Sequence, residues 1–214
     1  MMKRNNFPFS AVLGLNHAKT AILIVLVNPR AGGLLISGPR GIGKSTLMRS
    51  TQELIERPWR DIPVSVTEDR LFGTIDTEKA IYSGQKKLYP GIINEADQGV
   101  LYLDDANLLR EDLLDFILNI AEVGAYQLER DGLSLRCDTS FTVIAAINPE
   151  SGMLSGACLD QFGLFVNVDN IHDENTRVEI LKRTISFEKD CASFCKLWKL
   201  ENEKIKKAIH SAMS

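Results

Sequence analysis

Short apolar runs alternate along the chain with longer stretches that are apolar on one side only. Leu34-Leu35-Ile36-Ser37, Gly99-Val100-Leu101-Tyr102-Leu103 and Phe141 to Ile147 are apolar at nearly every position. They are too short for buried helices and read as strands covered on both faces. Leu164 to Val168 makes a further strand, and Val64-Ser65-Val66 is the remaining, weaker strand candidate. Between them lie helical patterns. Ala18 to Val27 is ended by Asn28-Pro29 and Gly32-Gly33, and Lys44 to Ile55 must stop before Pro58. Leu113, Leu114, Ile117 and Leu118 mark a buried helix with Gly124 as its C-cap. Asp173 is placed to cap a helix carrying Val178, Leu181 and Ile185, and a Lys-rich helix runs from Phe194. Strands alternating with helices predict the α/β class, with a parallel sheet between helices.

One segment breaks that alternation. Tyr126 to Glu129 and Leu133 to Arg136 alternate around Arg130-Asp131-Gly132, which predicts a hairpin projecting from the sheet's edge. It serves either as a plain surface turn or as a contact element.

Composition narrows the class. Charged residues make up 25% of the 214 and hydrophobic ones 44%, ordinary globular values that exclude a disordered or fibrous chain. With 25 Lys+Arg against 28 Asp+Glu the net charge is −3, so coating nucleic acid is not the chain's task. The longest apolar run, Ala21 to Val27, falls far short of the ~20 residues a membrane span needs. Met1 to Asn6 leads into Phe7-Pro8-Phe9-Ser10 rather than a signal-type apolar core. Cys137, Cys158, Cys191 and Cys195 form no CxxC pair and read as reduced packing thiols of a cytoplasmic protein.

The chemistry-bearing motif is Gly38-Pro39-Arg40-Gly41-Ile42-Gly43-Lys44-Ser45, followed by Thr46. It satisfies GxxxxGK[ST] between an apolar strand and a helix start, the context in which backbone N–H groups close around phosphate oxygens. Lys44 is the group to reach the β- and γ-phosphates of ATP, and Ser45 to ligate Mg²⁺. An acidic residue at the end of a neighbouring strand should complete the Mg²⁺ shell, and Asp104 supplies it. Asn148, ending the next strand, either orients the attacking water beside the γ-phosphate or simply caps the turn before Pro149.

Beyond the P-loop, a series of segments resembles one family. They are Phe7-Pro8-Phe9, Val27-Asn28-Pro29-Arg30, Thr67 to Asp76, Tyr89 to Ile93, Leu101 to Leu109, Leu128 to Gly132, Asn148-Pro149-Glu150, Leu159 to Leu164 and Thr176 to Leu181. In order and spacing, from Phe7 to Trp198, the chain resembles the AAA+ ATPase (I) subunit of magnesium chelatase, its cobaltochelatase relatives and, more distantly, MoxR-type proteins. The resemblance implies a five-stranded AAA+ core over residues 1–190, an insert around Thr67 to Gly91 and a hairpin before the Asn148 strand. Residues 191–214 then correspond to the lead-in helix of an incomplete lid. It further implies a ring, self-associated or mixed, with nucleotide between neighbouring subunits. That ring would drive a partner with an integrin-like (von Willebrand A-type) metal-binding domain, and the complex would insert Mg²⁺ into protoporphyrin IX.

The departures point elsewhere. Where the family pairs Asp with a water-polarising Glu, this chain has Asp104-Asp105, and losing one methylene withdraws the carboxylate by about 1.3 Å. Misplacement of about 1 Å can cost on the order of 100-fold in rate. Gln161 stands where the family carries an arginine finger, a group worth roughly 10³–10⁵ in turnover. Gln98 and Ser155 occupy two further positions where the family implies Arg. Two alternatives therefore stay open beside the motor subunit. One is a nucleotide-binding scaffold with negligible turnover; the other is a MoxR-like chaperone for an unrelated metal-binding partner.

Overall fold

A strand buried on both faces needs a paired neighbour on each edge and an apolar layer above and below. The computed structural model, which describes residues 6–75, 88–130 and 133–213, meets those needs with helices on both sides of one sheet. Its strands are β1 (Leu34–Ser37), β2 (Trp59–Ile62), β3 (Gly73–Ile75), β4 (Leu88–Pro90), β5 (Gly99–Leu103), β6 (Ala125–Arg130), β7 (Leu133–Asp138), β8 (Phe141–Ile147) and β9 (Leu164–Asn167). The helices are α1 (Asn16–Val27), α2 (Lys44–Thr51), α3 (Glu68–Phe72), α4 (Ile92–Glu95), α5 (Glu111–Val123), α6 (Gly156–Asp160), α7 (Glu174–Lys189) and α8 (Cys191–Met213).

The main sheet is five-stranded and parallel, in the order β2-β5-β8-β1-β9. Alternate residues of its buried strands feed two separate cores. Leu101, Leu103, Val143, Ala145 and Ile147 pack with α4, α5 and Cys158 of α6 on one face. Val100, Tyr102, Ile144, Ala146, Leu34 and Ile36 pack with α1 and α2 on the other. Helix α1 presents Ala18, Ala21, Ile22, Val25 and Leu26 to that second core, a stripe at helical spacing. Helix α8 returns across the same side and adds Ile209 to it. Among the described residues no helix is long and apolar enough to cross a membrane.

Two expected elements are corrected. The edge strand is Trp59–Ile62, in register with Val100–Leu103, and not Val64 to Val66. Val66 N–H instead donates to the Pro63 carbonyl (3.0 Å), closing a turn. At the sheet's edge Arg60 and Asp61 remain exposed, so this strand carries no apolar signature, and Pro63 ends it. Helix α2 stops at Thr51 rather than Ile55. The Ser50 and Thr51 hydroxyls donate to the Leu47 carbonyl (2.6 and 2.9 Å), competing with the α-helical ladder as it tightens into a 3-10 turn over Gln52–Leu54.

The α5 C-cap falls on Gly124 (φ 78°), and the Asp173 side chain caps α7, as the sequence predicts. β6 and β7 form the expected antiparallel hairpin, whose Asp131-Gly132 turn lies outside the described residues. The Tyr126 hydroxyl sits 2.7 Å from both the Phe72 carbonyl and Asn94 Oδ1, which ties the hairpin to α3 and α4. Those helices flank the antiparallel pair β3–β4, in the position of the expected insert; its residues 76–87 lie outside the described residues.

One close approach fixes the start of the sheet. Gly163 N–H donates to the Gly32 carbonyl (2.8 Å), and a Cβ on Gly163 would stand 1.7 Å from the Ala31 carbonyl oxygen. Gly163→Ala must push these two backbones apart, at about 1–3 kcal/mol. Urea denaturation should show a lower midpoint with an unchanged slope.

Candidate functional site

Because the main sheet is parallel, the ends of β1, β5 and β8 open on one side, where ligands bind in folds of this kind. The loop between β1 and α2 begins at Gly38, whose N–H donates to the Ile147 carbonyl at the end of β8 (3.2 Å). A Cβ at Gly38 would meet the Val168 carbonyl at 2.4 Å. Gly41 (φ 81°) and Gly43 (φ 93°) take left-handed conformations that cost glycine little. Pro39, Arg40 and Ile42 fill the remaining positions, with Arg40 exposed.

Lys44 opens α2 and is 8% exposed. Its Nζ donates to the carbonyls of Gly38 (2.5 Å) and Pro39 (2.8 Å), folding the side chain across the loop. Burial pushes its pKa below the ordinary lysine value, while the carboxylates of Asp105 and Asp104 push it back up and Arg40 lowers it. Ser45 Oγ donates to Asp104 Oδ1 at 3.3 Å, so the helix start and the end of β5 already meet. Asp105 is one of three non-glycine residues with positive φ among those described (φ 49°, ψ 49°), and its influence on Lys44 exceeds that of Asp104.

Asn148 is 2% exposed and follows β8, the strand between β1 and β5. Its Oδ1 accepts from Glu150 N–H (3.2 Å) and its Nδ2 donates to Ser151 Oγ (3.1 Å), the geometry of a cap on the Pro149–Ser151 turn. The chain therefore brings Gly38 to Thr46, Asp104, Asp105 and Asn148 to one end of the sheet.

Two residues at this end were not singled out from the sequence. Tyr102, 3% exposed, donates its hydroxyl to Asp104 Oδ1 at 2.9 Å. Burial first, and the Asp104 carboxylate second, push its pKa above the usual tyrosine value, so it remains a donor. Asn107 Nδ2 donates to the carbonyls of Asn148 (3.2 Å) and Gly152 (3.0 Å), joining the turn after β5 to the turn after β8. The signal for Tyr102 was its place two residues before Asp104, hence on the same face of a buried strand. Asn107 had no such signal.

Beside the loop lies a cavity of about 570 Å³, lined by Gly41, Ile42 and Thr46 and by Phe7, Val12 and Arg177 among others. Its volume is in the range of small-molecule sites. The site also fits Mg²⁺: a hydroxyl and a carboxylate are hard oxygen donors, and Mg²⁺ takes few protein ligands, keeping waters and phosphates. Among the described residues no group of three or more His, Cys, Asp or Glu is placed to hold a metal by itself.

Gln161 is not part of this assembly. It lines a second hollow of about 550 Å³ with Arg30, Gly33, Phe141 and Val143, where β1 and β8 begin. Its side-chain amide donates to the Ala157 carbonyl (3.4 Å). Gln98 (φ 57°) precedes β5 at the same end, its N–H donating to the Ser140 carbonyl at 2.6 Å. Ser155 caps α6 by accepting from Cys158 N–H (3.4 Å).

Residues 33–161 match the family model of the AAA domain, dynein-related subfamily. The chain is 35% identical to the magnesium-chelatase 38 kDa subunit of Cereibacter sphaeroides, over 96% of its own length and 72% of the relative's. It belongs to the magnesium-chelatase I-subunit family. Other members are the magnesium-chelatase subunit ChlI of Cyanophora paradoxa (33% identical; 99% of this chain, 73% of that one) and a ChlI homolog of Methanocaldococcus jannaschii (32%; 99% and 68%). A chain in a structure of the complex between subunits BchI and BchD of magnesium chelatase superposes with a TM-score of 0.73. It is 35% identical, and the match covers 98% of this chain and 75% of that one. The five-stranded α/β core resembled in sequence is thus the family's fold. Every site residue from Gly38 to Asn148 lies inside the AAA match, and Gln161 is its last residue.

Lys44→Ala removes a buried cation whose charge-assisted hydrogen bonds are worth about 1.5–3 kcal/mol each. Titration calorimetry should find Mg-ATP binding abolished; unchanged affinity would refute the assignment of this loop as a phosphate cradle.

Proposed function

We propose that this chain is the Mg-ATP-hydrolysing AAA+ subunit of a magnesium-chelatase-type assembly. What carries the reading is the meeting of Lys44, Ser45, Asp104 and Asn148 at one end of the sheet, beside a cavity of nucleotide size. In this reading the loop from Gly38 to Gly43 offers backbone N–H groups to phosphate oxygens at the positive end of α2. Lys44 exchanges its bonds to the Gly38 and Pro39 carbonyls for the β- and γ-phosphates. Ser45 and Asp104 hold Mg²⁺, which when bound neutralises charge developing on the phosphates. Asp105 orients the attacking water, Asn148 contacts the γ-phosphate, and Thr46 lines the cavity that takes the rest of the nucleotide.

Family membership supports a ring in which neighbours share nucleotides. A structural relative described as a complex of BchI with BchD supports a partner subunit. We assign that partner an integrin-like metal-binding domain, and the assembly the insertion of Mg²⁺ into protoporphyrin IX in the cytoplasm. We read residues 1–190 as the nucleotide-binding core and 191–214 as the first helix of a lid.

The position of Gln161 favours a second reading, that of a nucleotide-binding scaffold. It sits at the opposite end of the sheet from its own P-loop, where only a neighbouring subunit's nucleotide is within its reach, and it carries no charge. Arg30 is an exposed cation in the same hollow.

Steady-state ATP turnover measured against protein concentration separates the two. The motor reading expects turnover per chain to rise with concentration, and Gln161→Arg to raise it further, by up to roughly 10³ where the finger limits the rate. Arg30→Ala lowers the turnover of the unmodified chain if Arg30 has taken over the finger's task. Mg-ATP binding without turnover in both the unmodified and the Gln161→Arg forms favours the scaffold, and the same result in the presence of the partner subunit establishes it.

A further inference from the structure

Asp104 is held by two donors on the same oxygen. Ser45 Oγ lies 3.3 Å from Asp104 Oδ1 and the Tyr102 hydroxyl 2.9 Å from it. Oδ2 accepts no hydrogen bond from the described residues. Ser45 has a second task at the metal, whereas the Tyr102 hydroxyl gives its one proton to Asp104.

We propose that Tyr102 is the positioning residue of the Mg²⁺ site, fixing the Asp104 carboxylate so that Oδ2 remains free for the metal's hydration shell. This rests on the nucleotide-site reading above and adds to it a residue inside the strand.

Three features carry the proposal. Residues two apart in a strand share a face, so Tyr102 and Asp104 both stand on the α1–α2 side of β5, where Ser45 also lies. The Tyr102 ring cannot swing away, because it is packed in the core of that side with the Trp59 ring 5.9 Å distant. A hydroxyl buried to this degree needs an acceptor, and Asp104 supplies it. The orientation of Asp104 is thus set by core packing rather than by the mobility of a loop end. A carboxylate already held in place loses less freedom when the metal arrives.

Tyr102→Phe deletes one oxygen and keeps the ring. The probe is a fluorescent ATP analogue, titrated with and without Mg²⁺, together with the melting temperature. The Mg²⁺ concentration for half-maximal enhancement of binding should rise about 10-fold in the variant. Binding without Mg²⁺ and the melting temperature should stay unchanged. An unaltered or lower Mg²⁺ requirement overturns the proposal, since the hydroxyl would then be idle or in competition with the metal. Equal losses with and without Mg²⁺ also overturn it, by making Tyr102 a packing residue. If the unmodified chain shows no Mg²⁺-dependent binding at all, the nucleotide-site reading itself fails. Mg²⁺-dependent binding that is identical in both forms removes the Tyr102 proposal alone.

Discussion

The parallel pairing of β8 with β1 on one edge and β5 on the other is the constraint on which everything at this site depends. It holds the register in which Ser37 faces Ile147 and Leu103 faces Ala145, so that Gly38, Asn148 and Asp104 all emerge at one end of the sheet. The period of two in the buried strands then sorts side chains between the cores. A slip of β5 by one residue would turn Tyr102 and Asp104 to the α5 side and leave Ser45 without its acceptor. Register is therefore a functional quantity here. It is specified by burial: β5 and β8 are covered at every position, and each side chain has only one core that fits it.

The same logic explains what was legible in the sequence. β1, β5 and β8 were read with correct bounds, because full burial writes a continuous apolar run, closed by Gly38, Asp104-Asp105 and Asn148-Pro149 in turn. The caps at Gly124 and Asp173 were legible because each is a local hydrogen-bonding or backbone requirement. β2 was not, since an edge strand is half solvated and Trp59-Arg60-Asp61-Ile62 looks like a loop. The early end of α2 was missed because Ser50 and Thr51 act through bonds to the Leu47 carbonyl, which residue type alone does not reveal. At the site, the P-loop and its acidic strand were legible as motif and spacing. Tyr102 was concealed by doing two jobs: its ring belongs to the core pattern, so its hydroxyl passed as part of the apolar strand.

The two ends of the sheet divide the chemistry between chains. The phosphate loop, Asp104 and Asn148 lie where β1, β5 and β8 finish; Gln161 and Arg30 line a hollow where β1 and β8 start. A strand of β8's seven residues separates them, roughly 20 Å at about 3.3 Å per residue. No side-chain rotation bridges that length. Groups at the starting end are out of reach of the chain's own phosphate loop, so in the proposed reading any catalytic part they take is on a neighbour's nucleotide.

That division also weighs the two departures from the family pattern. Asp105 is one methylene shorter than the Glu that the resemblance implies and holds a left-handed backbone, a conformation Asp tolerates better than most residues; its carboxylate, like that of Asp104, raises the Lys44 pKa. Withdrawing the carboxylate by about 1.3 Å is a displacement of the size that can cost on the order of 100-fold in rate. If the position of Gln161 is that of the finger arginine the resemblance implies, its exchange removes a full charge, a group worth roughly 10³–10⁵ in turnover. On the proposed reading the greater departure therefore lies at the end of the sheet away from the P-loop, and the choice between motor and scaffold turns on what a neighbour presents there.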